Sequence, residues 1–272
     1  MPGDNGVASF HGRFKAQPVA ATIDGLPDHS WVRVRFKLLT FGTWDGSNRA
    51  WGPDLWSMQL RGGPQLFLTS FSNMRPRSPW YVQAFPDDYP YGVHDAFTGA
   101  GPLGHADFPR GDDESNGIFA DACYPVEVVF PHRGASLTLD FAGIYSDPSE
   151  ERQDWGIADL RYETTTAPAA LDDVELYRLW GELASPESPR ANAALWKLVS
   201  GGDKAARFLS ERIDALRNTD PRGGAPTNSR EALRLRRADK VLRIVDSRAT
   251  RRTREALTAM SPEYNGAPER RN

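Results

Sequence analysis

The sequence predicts an α+β chain organised by domain. An antiparallel, jelly-roll-like β-sandwich is expected over residues 1–166, a bundle of about five helices over 167–262, and a frayed tail over 263–272. Three observations predict this. Through the first part, apolar and polar side chains alternate with a period of two between clusters of Gly, Pro, Asn and Asp, the pattern of short half-buried strands. After Thr164-Thr165-Thr166-Ala167-Pro168 the apolar period lengthens to that of helices. The charge changes sign at the same place: residues 1–166 carry 13 Lys and Arg against 21 Asp and Glu, a balance of −8, and residues 167–272 carry 20 against 15, a balance of +5.

The clearest strand is 31–41, where Val32, Val34, Phe36 and Leu38 face one way and Arg33, Arg35 and Lys37 the other. Shorter runs of the same kind follow at 55–60, 65–71, 80–84, 126–130, 136–141 and 156–162. Many short strands at regular spacing, with turn residues between most of them, imply a sandwich or jelly roll. Residues 87–121 are dense in Gly, Pro and Asp and have few β-branched residues, so a long surface loop is expected there.

In the second part Asp172 caps a helix whose Val174, Leu176, Tyr177, Trp180 and Leu183 fall on one stripe, and Pro186 ends it. Further helices are expected at 189–199, closed by Gly201-Gly202, and at 203–216, 229–245 and 248–260. Residues 220–228 read as a loop.

Composition excludes several classes. A lone cysteine, Cys123, rules out an internal disulfide and reads as a small buried residue. No run approaches 18 consecutive apolar residues and no basic segment followed by an apolar one opens the chain. The expectation is no membrane span and, as written, a cytoplasmic protein; a longer natural N-terminus would suit an extracytoplasmic one. The arginines of the second part, Arg230, Arg234, Arg236, Arg237, Arg248, Arg251, Arg252 and Arg254, are interleaved with Glu231, Asp239, Asp246 and Glu255. No stacking aromatics accompany them, so they predict a solvated, protein-contacting helix surface and argue against nucleic acid.

Catalytic motifs are sparse. There is no Gly-x-Ser-x-Gly, no Walker sequence, and no Gly-x-Gly-x-x-Gly that follows a strand to open a helix. The histidines, His11, His29, His94, His105 and His132, lack the spacing of zinc ligands. His94, Asp95, His105 and Asp107 share the long loop and leave a hydrolase as the third reading. Asp112 to Gly117 matches the first half of a calcium loop, but Cys123 stands where its twelfth ligand should be.

Two kinds of binding residue remain. Near two Trp-containing turns, Asp45, Asp54, Asn73, Asp154 and Asp159 could supply oxygen ligands to calcium, or could bond their own backbone as turn residues. Trp51, Trp80, Tyr81, Phe85, Tyr89 and Tyr91 form an aromatic band, with Pro76, Pro79, Pro86 and Pro90 extending the chain around it. Such rings suit stacking on a sugar face or a protein partner, or plug the sandwich's open end.

The first part resembles a lectin-like or galactose-binding-like β-sandwich of bacterial multidomain proteins. The resemblance rests on Trp44-Asp45-Gly46, Gly52-Pro53-Asp54-Leu55-Trp56, Thr69-Ser70-Phe71-Ser72-Asn73 and Trp155-Gly156-Ile157. The last motif departs from the family, with Arg152-Gln153-Asp154 before its Trp and Ala158-Asp159 after its Ile. The second part is similar to a shortened HEAT-like helical tail, through Leu179-Trp180, Leu183-Ala184-Ser185, Ala194-Leu195-Trp196, Ala206-Arg207-Phe208-Leu209 and Ala238-Asp239 with Val241-Leu242. The resemblance implies a non-enzymatic protein that binds a carbohydrate, with calcium support, and contacts a protein partner through its helices. A scaffold with no small ligand is the alternative.

Overall fold

The computed structural model describes residues 9–74, 80–101, 120–145, 153–219 and 229–245, and the chain divides into two compact units, Met1–Thr166 and Ala167–Asn272.

The first unit contains eight strands among its described residues: β1 (His11–Phe14), β2 (Val19–Asp24), β3 (Trp31–Gly42), β4 (Leu55–Leu60), β5 (Gln65–Ser70), β6 (Ala122–Pro131), β7 (Ser136–Ile144) and β8 (Gln153–Thr165). They form two four-stranded antiparallel sheets, ordered β1-β8-β3-β6 and β2-β7-β4-β5. The alternation of β3 decides which face is inside. Val32, Val34, Phe36 and Leu38 are all but fully buried, and Phe36 packs against Trp56 of β4 and edge-on against Phe141 of β7. Trp155 of β8 stands edge-on to Trp56, 6.2 Å away, so the two sheets close over an aromatic core.

The opposite face of β3 is charged. Arg35 pairs with Glu127 and Glu163 at 2.6 Å each, Lys37 pairs with Asp159 at 2.8 Å, and Arg33 also reaches Glu127. Exposed pairs of this kind contribute only about 0–1 kcal/mol each. Their use is to keep one face of the sheet wet and so to fix the register.

One strand expectation is corrected and two strands that were not expected are added. Residues 80–84 form no strand, because Pro86 lacks a backbone donor and the buried Gln83 side chain takes over bonds that a ladder would make; a single bridge, Gln83 to His94, remains. The four-residue β1 escaped notice because Gly12 and the positive φ of Arg13 (61°) interrupt its alternation. The edge strand β2 exposes Ala20, Thr22 and Asp24, too weak a contrast to stand out.

The second unit contains four helices among the described residues, against about five expected: α1 (Asp173–Glu182), α2 (Ser188–Ser200), α3 (Gly202–Thr219) and α4 (Ser229–Val245). The fifth, at 248–260, lies outside the described residues, as do the loop 220–228 and the tail. Asp172 caps α1, its Oδ1 accepting the Glu175 N–H at 2.8 Å. Leu176, Leu179, Leu183, Leu195, Leu198, Leu209, Val241 and Leu242 form the apolar interior. Arg237, 3% exposed, donates to the carbonyls of Leu183 and Ser185 just past the end of α1. No described helix is long and apolar enough to cross a membrane.

Candidate functional site

The loop from β3 to β4 makes a tight corner followed by an exposed excursion. Trp44 is fully buried and its indole N–H donates to the carbonyl of Asp154 at 3.0 Å. Gly46 follows with φ at +70°, and a Cβ there would lie 2.2 Å from the Val82 carbonyl oxygen, so only glycine fits. The corner is closed from the far side. The Asp54 N–H donates to Gly46 O at 2.9 Å, and Asp54 Oδ2 accepts from the Asp45 N–H at 2.5 Å and from Gln153 Nε2 at 3.0 Å.

The five oxygen donors expected around calcium do not come together as one group. Asp45 and Asp54 share the corner as just described. The Asn73 amide secures the end of β3, its Oδ1 accepting the Thr40 hydroxyl at 2.9 Å and its Nδ2 donating to the carbonyls of Thr40 and Gly42. Asp154 accepts from Arg13 at 3.2 Å. Asp159 lies five residues further along β8, at a bulge of the strand, and pairs with Lys37 at 2.8 Å. Its bond to Lys37 holds its carboxyl below the usual range. Among the described residues, no group of three or more His, Cys, Asp or Glu side chains is placed to hold a metal ion.

The aromatic residues divide more usefully. Trp51 is 63% exposed and Trp80 is 75% exposed, whereas Tyr81, Tyr89 and Tyr91 are half-buried and Phe85 is a core residue packed against Phe67, Phe71 and Tyr124. The two tryptophans belong to different loops joined by one side chain. Asn48 Oδ1 accepts the backbone N–H groups of Ala50 and Trp51 at 2.7 and 3.3 Å, and its Nδ2 donates to the carbonyl of Trp80 at 3.0 Å. The Ser47 N–H adds a bond to Val82 O at 2.7 Å. Both indoles are thus carried on backbone bonded by the same amide, and each residue is more than half exposed.

Sequence reasoning missed the residue that organises the loop beneath them. Gln83 is fully buried. Its Oε1 accepts from the Ser72 and Phe97 N–H groups and from the Tyr124 hydroxyl, and its Nε2 donates to the carbonyls of Phe85 and Thr98. The one available signal was a lone amide in the apolar run Val82-Gln83-Ala84-Phe85. Nearby, Nε2 of His94 lies 2.9 Å from Oδ2 of Asp87, both side chains largely buried. His105, Asp107 and the 112–117 segment lie outside the described residues, as do Arg248, Arg251, Arg252 and Arg254.

No protein-family model, curated protein or solved structure matches the chain. Function is therefore argued from the site itself.

Proposed function

We propose that the protein is a non-enzymatic binding protein whose β-sandwich, read as a lectin-like jelly roll, recognises a carbohydrate through Trp51 and Trp80. The pairing of β1 with β8, β2 with β7, β3 with β6 and β4 with β5 supports the jelly-roll reading, since it is that of one long hairpin wound into two sheets. The observation that carries the functional reading is the Asn48 amide, which holds the backbones of two indoles that are more than half exposed. A pyranose presents an apolar face of C–H groups to such rings, and fixing the loops beforehand lowers the ordering cost of binding. We read the second unit as a HEAT-like module for protein contact. Val174 and Tyr177 support that reading, at 80% and 54% exposed on the same face of α1.

The test is a glycan array probed with the whole chain, followed by titration of any hit. Trp80→Ala and Trp51→Ala should each weaken binding by roughly tenfold at most, in line with about 0.5–1.5 kcal/mol per aromatic contact. A wild-type array without signal, or variants that bind as tightly as wild type, would hand the protein to the scaffold reading.

A further inference from the structure

The second half of β8 is a strand edge with no strand beside it among the described residues. β3 follows β8 as far as Thr165, but β1 pairs with it only from Trp155 to Ile157. Residues 159–163 are all exposed. Such an edge presents a row of backbone N–H and C=O groups to any chain that fits it. Its side chains alternate. Arg161 and Glu163 lie opposite Arg35 and Arg33 on the charged face, whereas Tyr162 and Thr164 lie opposite the buried Val34 and Val32. Tyr162 is nevertheless 47% exposed and Leu160 38% exposed, so the apolar face of the sheet runs out into solvent along this edge. Arg161 is poorly placed in the single chain. Its cross-strand neighbour is another cation, Arg35, which pairs with Glu127 and Glu163.

The sequence of this edge is complementary to itself. Laid antiparallel across a twofold axis at Tyr162, a second copy of the strand puts its Glu163 opposite Arg161, twice by symmetry. Tyr162 then meets the same residue of the second copy, and Leu160 meets Thr164. Opposite charges and aromatic pairs at directly facing positions stabilise antiparallel strands, and the carboxylate supplies Arg161 with the partner that Arg35 cannot be. The edge strand β2, which pairs only with β7, has Asp24 as its one charge and offers no such match. We propose that the protein self-associates through residues 160–164 of β8, joining the β1-β8-β3-β6 sheets of two copies into one continuous sheet. The bulge at Asp159 and the pairing with β1 both lie outside that span. So short a contact buries little area, and the dimer is therefore weak and concentration-dependent. The surface is independent of the glycan reading, because neither Trp51 nor Trp80 belongs to β8.

Sedimentation equilibrium of the whole chain over a wide concentration range should show a mass rising toward twice that of one chain. Arg161→Glu sets acid against acid across the axis and Glu163→Arg sets base against base, so each variant alone should raise the dimer Kd about tenfold or more. Mixed in equal amounts, the two variants are complementary again at both pairs and should associate with a Kd close to that of wild type. The mixture also separates lost contacts from lost folding, since an unfolded variant cannot restore association, and circular dichroism checks each variant alone. Wild type that stays monomeric at every concentration would overturn the proposal and leave the edge to a segment of its own chain or to a different protein. A dimer that both variants leave unchanged would overturn it by placing the interface elsewhere. Variants that lose the dimer separately and do not regain it when mixed would overturn the twofold pairing at Tyr162.

Discussion

Trp44 and Trp51 stand seven residues apart in one loop, yet the first is fully buried and the second is 63% exposed. Their local sequences are alike, each with glycine within two residues. The difference lies in which side chains bond the backbone around them. At Trp44, groups distant in sequence close the chain inward: Asp54 accepts from and Asn73 donates to backbone one and two residues from the ring, and Asp154 O receives its indole N–H. At Trp51 the Asn48 side chain bonds the backbone from three residues away, and the indole is 63% exposed. Burial of a tryptophan is here decided by long-range polar contacts rather than by its neighbours in sequence.

The largest expected effect breaks this comparison directly. Trp44→Ala removes a buried ring and leaves a cavity, and should destabilise the first unit by about 3–5 kcal/mol. Trp51→Ala opens no cavity and should fall within about 0.5 kcal/mol of wild type, as surface substitutions do. Denaturant unfolding of the two variants measures both values. Similar losses would mean that the Trp51 ring is packed in solution and that the exposed edge is part of the core.

The same contrast marks how much the sequence disclosed. Alternation reveals β3 and β4 because one face of each is core, and the capping Asp172 reveals α1, whose buried residues are Leu176 and Leu179 while Val174 and Tyr177 of the expected stripe are exposed. The pairing of β3 with both β6 and β8 is not legible, since nothing in Arg33 or Arg35 says that Glu127 and Glu163 will meet them from strands some 90 and 130 residues on. Trp80 and Trp51 are each visible as aromatic residues, but the amide joining their loops is not, because Asn48 resembles any turn asparagine. Gln83 is harder still. Five bonds to residues as far away as Tyr124 give it its role, and a single sequence carries no trace of them.

An intermediate effect sharpens the comparison by removing the anchors instead of the rings. Gln83→Met keeps the volume and strips five hydrogen bonds from buried groups, so a loss of about 2–4 kcal/mol is expected from the donors and acceptors left unsatisfied. Asn48→Ala, whose bonds lie in solvent reach, should cost about 0.5–1.5 kcal/mol of stability. Its larger consequence should be in binding, since both indoles lose their shared support. Hydrogen exchange at Trp51 and Ala50 should quicken in Asn48→Ala while the strands stay protected. If protection is lost across the sheets as well, the edge and the core unfold as one.

The smallest effect tests whether loosening one end of the sandwich reaches either tryptophan. Before β3 and after β6, His29 and His132 stack with ring centroids 5.1 Å apart, Nε2 of the first lying 2.9 Å from Nδ1 of the second. His29 Nδ1 lies 2.6 Å from the Pro27 carbonyl, so it carries the proton, and in the neutral pair Nε2 accepts from His132. Desolvation first, then the His29 ring, depress the pKa of His132 in the folded state, while a backbone bond to Ser136 partly offsets them. The sign follows from linkage: the unfolded chain binds this proton more readily, so above the ordinary histidine value of about 6.5 the pair costs nothing, and stability falls as pH drops from there through the lower folded value. Tm should therefore decline from pH 7 to pH 5 by a part that His132→Gln removes, and that part should be small because the ring is only partly buried. Through that range Trp51 and Trp80 emission should hold steady, since the bonds of Asn48 contain no group that titrates there. A wild-type profile matching that of His132→Gln would show the pair to be inert, and emission that shifts in step with Tm would show that the exposed edge depends on the far strand ends.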